Sequence, residues 1–201
     1  SDLTRIRVGD EILHLVLAGI VVGAFYAAGT GILKYIADPQ KQLPDITYWM
    51  LGGLWGITGR DVLQMLPVAA AGLAYMLAVR WRLNLLAMRD ETAFSLGAAP
   101  GRERLFVLIA AVAVTAAGVA KAGQIAWVGL IVPHICRRLV GSETRVLLPA
   151  SVLLGGIFVL VCDDVARVAL SGEIPLGILT SLLGTLLFLV LLLQRKIRGV
   201  G

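Results

Sequence analysis

Charge is scarce in this chain, so the places where it gathers are the first candidates for chemistry. Asp163, Asp164 and Arg167 interrupt an apolar stretch as CDDVARVAL, and His134 and Cys136 sit two apart in WVGLIVPHICRRL. Five arginines and three acids crowd the 25 residues from Arg80 to Arg104. Asp163 and Arg167 are four apart, so on a helix they share a face and can neutralise each other. A charge inside an apolar span is costly enough to flag function by default. Two readings of Arg167 therefore stand: an intramembrane ion pair with Asp163, or an arginine aimed at an outside partner. Asp164 fits neither. His134 and Cys136 supply two donors where a metal site takes about four, so His134 reads as structural. Cys136 and Cys162 fall in separate apolar segments with no CxxC, and both read as packing residues.

Covalent chemistry at membrane depth would need a nucleophile, a metal cluster or paired carboxylates. The sequence has no HExxH, no GxSxG and no carboxylates paired across segments beside a base. It also has no GxxxxGK[ST] phosphate loop, so ATP is not bound here in the P-loop manner. The expectation is a chain that is not an enzyme and holds no metal or cofactor.

The elements that position these residues follow from composition. Of 201 residues, 58% are hydrophobic, 23 more are glycine, and only 15% are charged. A water-soluble protein of this size has too much surface for that composition, so the solvent is a lipid bilayer. Since about 20 apolar residues cross the hydrocarbon, six spans are expected: Ile12–Ile36, Val62–Val79, Leu105–Ala122, Ile125–Leu139, Val146–Leu170 and Leu176–Leu193. The fourth is short and carries Pro133. Between the first two, Pro and Gly frame an apolar, aromatic-rich piece at 45–56 that is too short to span. It suits an interfacial helix on the outer face, anchored by Tyr48, Trp49 and Trp55. The fold class is thus all-α and integral to the membrane, a polytopic helical bundle.

Basic residues set the orientation. With the first residues inside, Arg5, Arg7, Arg80, Arg82, Arg89, Arg102, Arg104, Arg137, Arg138, Arg145, Arg195, Lys196 and Arg198 are cytoplasmic, against Lys34, Lys41, Arg60, Lys121 and Arg167 outside. The net charge of +5 is topology information, not a nucleic-acid patch. The opening SDLTRIRVGDEILHL lacks signal-peptide order and an initiator Met, so an internal start is expected.

The charged loop is then cytoplasmic. Asp90 reads as an N-cap, ETAFSL as a short helix, Gly97 as its left-handed stop, and NLLAM as a further turn or two. A loop meeting only water has little use for Leu85, Leu86, Met88, Ala93, Phe94 and Leu96; a partner surface would bury them. A solvated connector is the alternative.

Several of these stretches together carry a resemblance. LLAMRDETAFSLGA, GQIAWVGLIVPHICRRLVG, RVLLPASVLLGG, DDVARVAL and EIPLGILTSLLGTLLFLVLL occur in that order over nearly the whole chain. They resemble the FecCD family, the permeases of ABC importers for iron–siderophores, haem and vitamin B12. Members have about ten transmembrane helices of the type II importer fold, and this chain resembles the last six. The resemblance implies that the first four are supplied by a longer chain or separately.

It also implies roles. The 84–100 loop would form coupling helices seated on an ABC ATPase subunit, with Asn84, Arg89, Glu91, Ala93, Leu96 and Gly97 carrying the pattern. ATP and magnesium would sit on that subunit. Gly129, Pro133 and His134 would form a helix-entry motif, and Arg167 would meet a periplasmic or lipoprotein substrate-binding protein. Gly19, Gly23 and Ala27 would lie on a helix lining the translocation path at the interface of a permease homodimer. Glu11, Ile12 and Leu13 fall where the family places a constriction. Lys121 and Gln124 depart from the family pattern. The implied function is import of an iron chelate, haem or cobalamin across the bacterial inner membrane by a multi-pass permease; a metal oxyanion such as molybdate is the alternative cargo. No nucleic-acid partner is implied.

Overall fold

The computed structural model describes residues 2–168 and 174–198, with side chains described at 13, 14, 16–168 and 174–190. Among these residues it is all helix: α1 (Asp2–Ile36), α2 (Gln42–Leu51), α3 (Gly59–Val79), α4 (Arg82–Leu86), α5 (Asp90–Ser95), α6 (Pro100–Ala122), α7 (Val128–Val140), α8 (Thr144–Val168) and α9 (Leu176–Arg198). The chain divides within α2 into one unit of residues 1–47 and another of 48–201.

In the first unit, α1 begins well before the expected Ile12 and includes the charged opening. Its apolar part, Val16–Ile36, is 21 residues. At 1.5 Å per residue that is about 31 Å, the thickness of a hydrocarbon core. The hydroxyl of Thr30 donates to the Tyr26 carbonyl at 2.8 Å, which satisfies it without an outside partner. Beyond Ile36, the Asp38 carboxylate accepts from the Gln40 and Lys41 N–H groups and turns the chain into α2. Gly19, Gly23 and Ala27 are exposed. Glu11 and Ile12 lie outside the residues whose side chains are described, as do Arg195, Lys196 and Arg198.

The second unit is built from helix pairs. α3 starts at a capping box, in which the Thr58 side chain accepts from the Asp61 N–H and Asp61 accepts from the Thr58 N–H. It packs antiparallel to α6, with Gly72 backed onto the Val114 side chain. A glycine there lets two helices approach closely where lipid offers no hydrophobic drive to associate. α7 packs on α8 through Val132, Cys136 and Leu147, bordered by Val128, Ala150, Leu154 and Phe158. α9 meets α7 where the Trp127 ring lies over Gly184 and near Phe188.

Among the described residues four helices are long and apolar enough to span: Val16–Ile36, Gly59–Val79, Pro100–Ala122 and Thr144–Val168. The fourth expected span, Ile125–Leu139, is corrected. Gly123 leaves α6 at φ +68 and Trp127 takes φ +70, so 124–127 connect two helices. The resulting α7 has 13 residues and reaches about 20 Å, short of a full crossing. α9 runs 23 residues from Leu176, with Leu176–Val190 as its described apolar part. The end of the fifth expected span, at Leu170, lies outside the described residues. The interfacial helix starts at Gln42, earlier than expected, and stops at Gly52. Tyr48 and Trp55 stack edge to face at 5.5 Å, and both remain exposed with Trp49.

Burial is inverted relative to a soluble domain. The buried apolar residues include three alanines and two cysteines, whereas Ile20, Phe25, Leu63, Leu108, Leu153 and Leu160 are exposed. Faces of that kind are stable only against lipid or protein.

At the end of the bundle reached by the last turn of α6, backbone packs on backbone. Gly53 N–H donates to the Ala122 carbonyl at 2.8 Å, and Gly177 N–H to the Gly52 carbonyl at 3.3 Å. A Cβ on Gly123 would strike the Trp49 carbonyl, and one on Gly177 the Leu51 carbonyl. Gly52 and Gly123 also have positive φ, so both space and conformation demand glycine there.

Candidate partner-docking hairpin

The opposite end of the same helices carries the charged loop, folded as two short helices. α4 closes with the Ala87 and Met88 N–H groups on the Leu83 and Leu85 carbonyls. Arg89, extended at ψ 144, takes the N-cap position of α5. Asp90 was expected there; it is instead the first helical residue, and its carboxylate is taken by an ion pair. α5 ends in a Schellman motif: Ala98 N–H donates to the Ala93 carbonyl and Gly97 N–H to the Phe94 carbonyl, both at 3.0 Å. Gly97 has φ +82, the left-handed stop that the sequence predicts. Pro100 opens α6, where its missing N–H costs nothing, and Glu103 accepts from the Ala99 N–H.

Charges hold this hairpin to the bundle. Arg82 pairs with Glu103 at 2.8 Å, and Arg104 pairs with Asp90 at 2.8 Å. Arg104 also donates to the Leu86 carbonyl at 2.8 Å. Asn84 accepts from the Thr144 N–H at 3.1 Å, joining α4 to the start of α8. These partners lie 14 to 60 residues apart, and spacing alone does not reveal them.

The six apolar residues of the loop divide into two groups. Leu86 and Ala93 are buried and Leu85 is half-buried, so they pack the hairpin from within. Any part Ala93 plays in coupling is exercised from inside, since it is 0% exposed. Met88, Phe94 and Leu96 are 46%, 74% and 57% exposed, alongside exposed Arg89 and Glu91. The result is a braced support presenting an apolar patch with mixed charge at its edge.

The remaining charged positions are accounted for one by one. Arg167 Nε donates to Asp163 Oδ2 at 2.8 Å, so the i, i+4 pair forms, while the arginine stays exposed on the last turn of α8. Asp164 is exposed on another side, and nothing in the structure explains it. Lys121 reaches both Asp61 Oδ1 at 2.8 Å and Gln64 Oε1 at 2.7 Å, clamping α6 to α3. The sequence marks Lys121 only as a departure from the family pattern; its partner Asp61 lies 60 residues away, which spacing does not reveal. Gly129 is exposed in the first turn of α7, and Pro133 removes the N–H that would bond the Gly129 carbonyl. His134 Nε2 is buried without a hydrogen-bond partner. Among the described residues no three His, Cys, Asp or Glu cluster as metal ligands, and both cysteines are free and buried.

Residues 3–194 match the FecCD transport family. The chain belongs to that family. It is 35% identical over 191 residues to the molybdate import permease MolB of Haemophilus influenzae, covering 95% of this chain and 57% of MolB. It is 41% identical over 186 residues to the cobalamin import permease BtuC of Halobacterium salinarum, covering 92% of this chain and 50% of BtuC. The hemin transport permease HmuU of Yersinia pestis is 37% identical over 196 residues, 95% of this chain and 57% of HmuU. Among solved structures, a metal-chelate type ABC transporter in an inward-facing conformation superposes with a TM-score of 0.87 at 36% identity. That match covers 90% of this chain and 59% of the other. The chain thus spans a little over half the length of the relatives it matches. Those relatives are transport permeases, and with four helices long and apolar enough to span among its described residues, this FecCD chain is a multi-pass membrane protein.

Proposed function

We propose that this chain is the C-terminal portion of a permease that imports an iron chelate, haem or cobalamin across the bacterial cytoplasmic membrane, driven by a separate ABC ATPase. The observation that carries the reading is the hairpin, fastened to α6 and α8 yet turning Met88, Phe94 and Leu96 outward. A rigid element with an exposed apolar face is what a nucleotide-driven subunit could push, converting its closure into a rigid-body shift of the helices behind. Arg89, Glu91 and Leu96 would contact that subunit, and Gly97 would keep the exit from α5 tight. Magnesium and ATP would bind the ATPase, with no cofactor on this chain. At the other end, Arg167 would meet an acidic face of the substrate-binding protein while Asp163 steadies it. Gly19, Gly23 and Ala27 would border the path in a permease homodimer, where a smooth wall lets a bulky cargo slide without being trapped.

Molybdate is the second reading, favoured by the likeness to MolB. The deciding experiment reconstitutes the full-length permease with its ATPase and binding protein in proteoliposomes and measures ATP-dependent uptake of ferric siderophore, haem, cobalamin and molybdate. Uptake of a chelate or corrinoid supports the first reading and uptake of molybdate alone the second. ATP-independent accumulation of any of them would sink both.

A further inference from the structure

We infer that Asn84 is a positioning residue that makes α8 follow the hairpin, an inference resting on the permease reading above. Its side chain is half-buried, and its amide oxygen accepts the backbone N–H of Thr144, the first residue of α8. First-turn N–H groups have no acceptor within their own helix. Asparagine is among the best side chains for capping them, and the cap normally comes from the residue just before the helix. Here it comes from 60 residues upstream, out of the hairpin itself. Ser142 and Glu143 precede α8, and the Glu143 carbonyl is occupied by the Val146 and Leu147 N–H groups.

The hairpin therefore grips two helices by different means. Arginine–carboxylate pairs tie it to α6, and the Asn84 amide ties it to α8. α8 is 25 residues long, about 38 Å, and carries the Asp163–Arg167 pair near its far end. Leu147, one turn into α8, packs with Cys136 and Val132 of α7, so a displacement of Thr144 is passed to both helices. Asn84 thus acts toward the bundle and not toward the ATPase: its oxygen is committed inward, while exposed Met88 and Phe94 face out.

The test uses the full-length permease with its ATPase and binding protein in proteoliposomes. Asn84→Leu removes the acceptor at similar size, Asn84→Asp retains one, and Thr144→Pro deletes the donor at a helix position where proline is well tolerated. The readouts are ATPase subunit retained on purification, ATP hydrolysed, and cargo moved per ATP. Asn84→Leu and Thr144→Pro should each retain the ATPase subunit and hydrolysis while cargo per ATP falls about tenfold, a typical size for a lost coupling. Asn84→Asp should restore most of it, and the double variant should be no worse than either single change. Normal cargo per ATP in Asn84→Leu, or additive losses in the double variant, would overturn the inference. If Asn84→Leu fails to insert, Thr144→Pro decides by itself: a fall in cargo per ATP supports the inference, and normal cargo per ATP overturns it. Phe94→Asp run in parallel separates the two levels. Should it leave the ATPase subunit bound, the hairpin is not the docking surface and the reading on which the role of Asn84 rests fails; should it release that subunit while Asn84→Leu couples normally, only the role of Asn84 fails.

Discussion

The two ends of the 48–201 unit are held by opposite chemistry. At the hairpin end, Arg82, Glu103, Arg104, Asp90 and Asn84 bind through long side chains, and large apolar residues are left exposed. At the other end, Gly52, Gly123 and Gly177 let backbones touch, with the Lys121–Asp61–Gln64 clamp as the main charged contact between α3 and α6. Side-chain bridges tolerate water and small displacements, because a rotamer change can absorb them. Glycine contacts tolerate neither a methyl group nor a shift, since close-packed atoms have no slack. On the proposed function, the hairpin is the driven end of a lever and the glycine packing is its fixed joint.

Substitutions can break or sharpen that contrast. The largest effect is expected at the fixed joint. Gly123→Val places a branched side chain against the Trp49 carbonyl at φ +68. The cost should exceed about 4 kcal/mol, so little monodisperse protein would survive detergent extraction. A well-behaved Gly123→Val protein would show that the joint is not rigid.

At the hairpin, Phe94→Asp should insert normally yet lose the ATPase subunit on purification, because the exposed ring becomes a charge within a contact. Gly97→Val should cost about 1–3 kcal/mol through the left-handed position, loosening the hairpin so that hydrolysis continues with little uptake. Wild-type uptake in that variant would show that hairpin rigidity is not needed. Arg167→Glu should lower binding-protein-stimulated hydrolysis several-fold without changing the basal rate, and an unchanged response would leave Arg167 as an ion-pair partner alone. The smallest effect is expected from Lys121→Met, which removes the clamp but leaves the glycine contacts. A shift of a few degrees in thermal unfolding with uptake retained is the expected result. Loss of uptake there would place the clamp in the transport cycle.

Much of this architecture is legible in the chain because lipid imposes a simple code: long apolar runs, basic residues at one end, and punctuation by Gly and Pro. Gly97 could be assigned its left-handed turn from its place after ETAFSL, since few other residues accept that conformation. Asp163 and Arg167 could be paired because helical periodicity puts i and i+4 together. The apolar run through Ile125 and Ala126 predicts a longer span than α7 provides, because hydrophobicity does not report that Trp127 turns left-handed against Gly184.

What the sequence by itself determined is therefore local or compositional: the apolar solvent, the helices and the turn at Gly97. Only the tertiary structure decided which charges are spent inward, that Leu86 and Ala93 pack while Phe94 and Leu96 face out, and that Asn84 caps α8. The reason is physical. Helical periodicity fixes neighbours within about a turn, whereas Lys121 with Asp61 and Asn84 with Thr144 meet across 60 residues, and only the packing of whole helices brings them together.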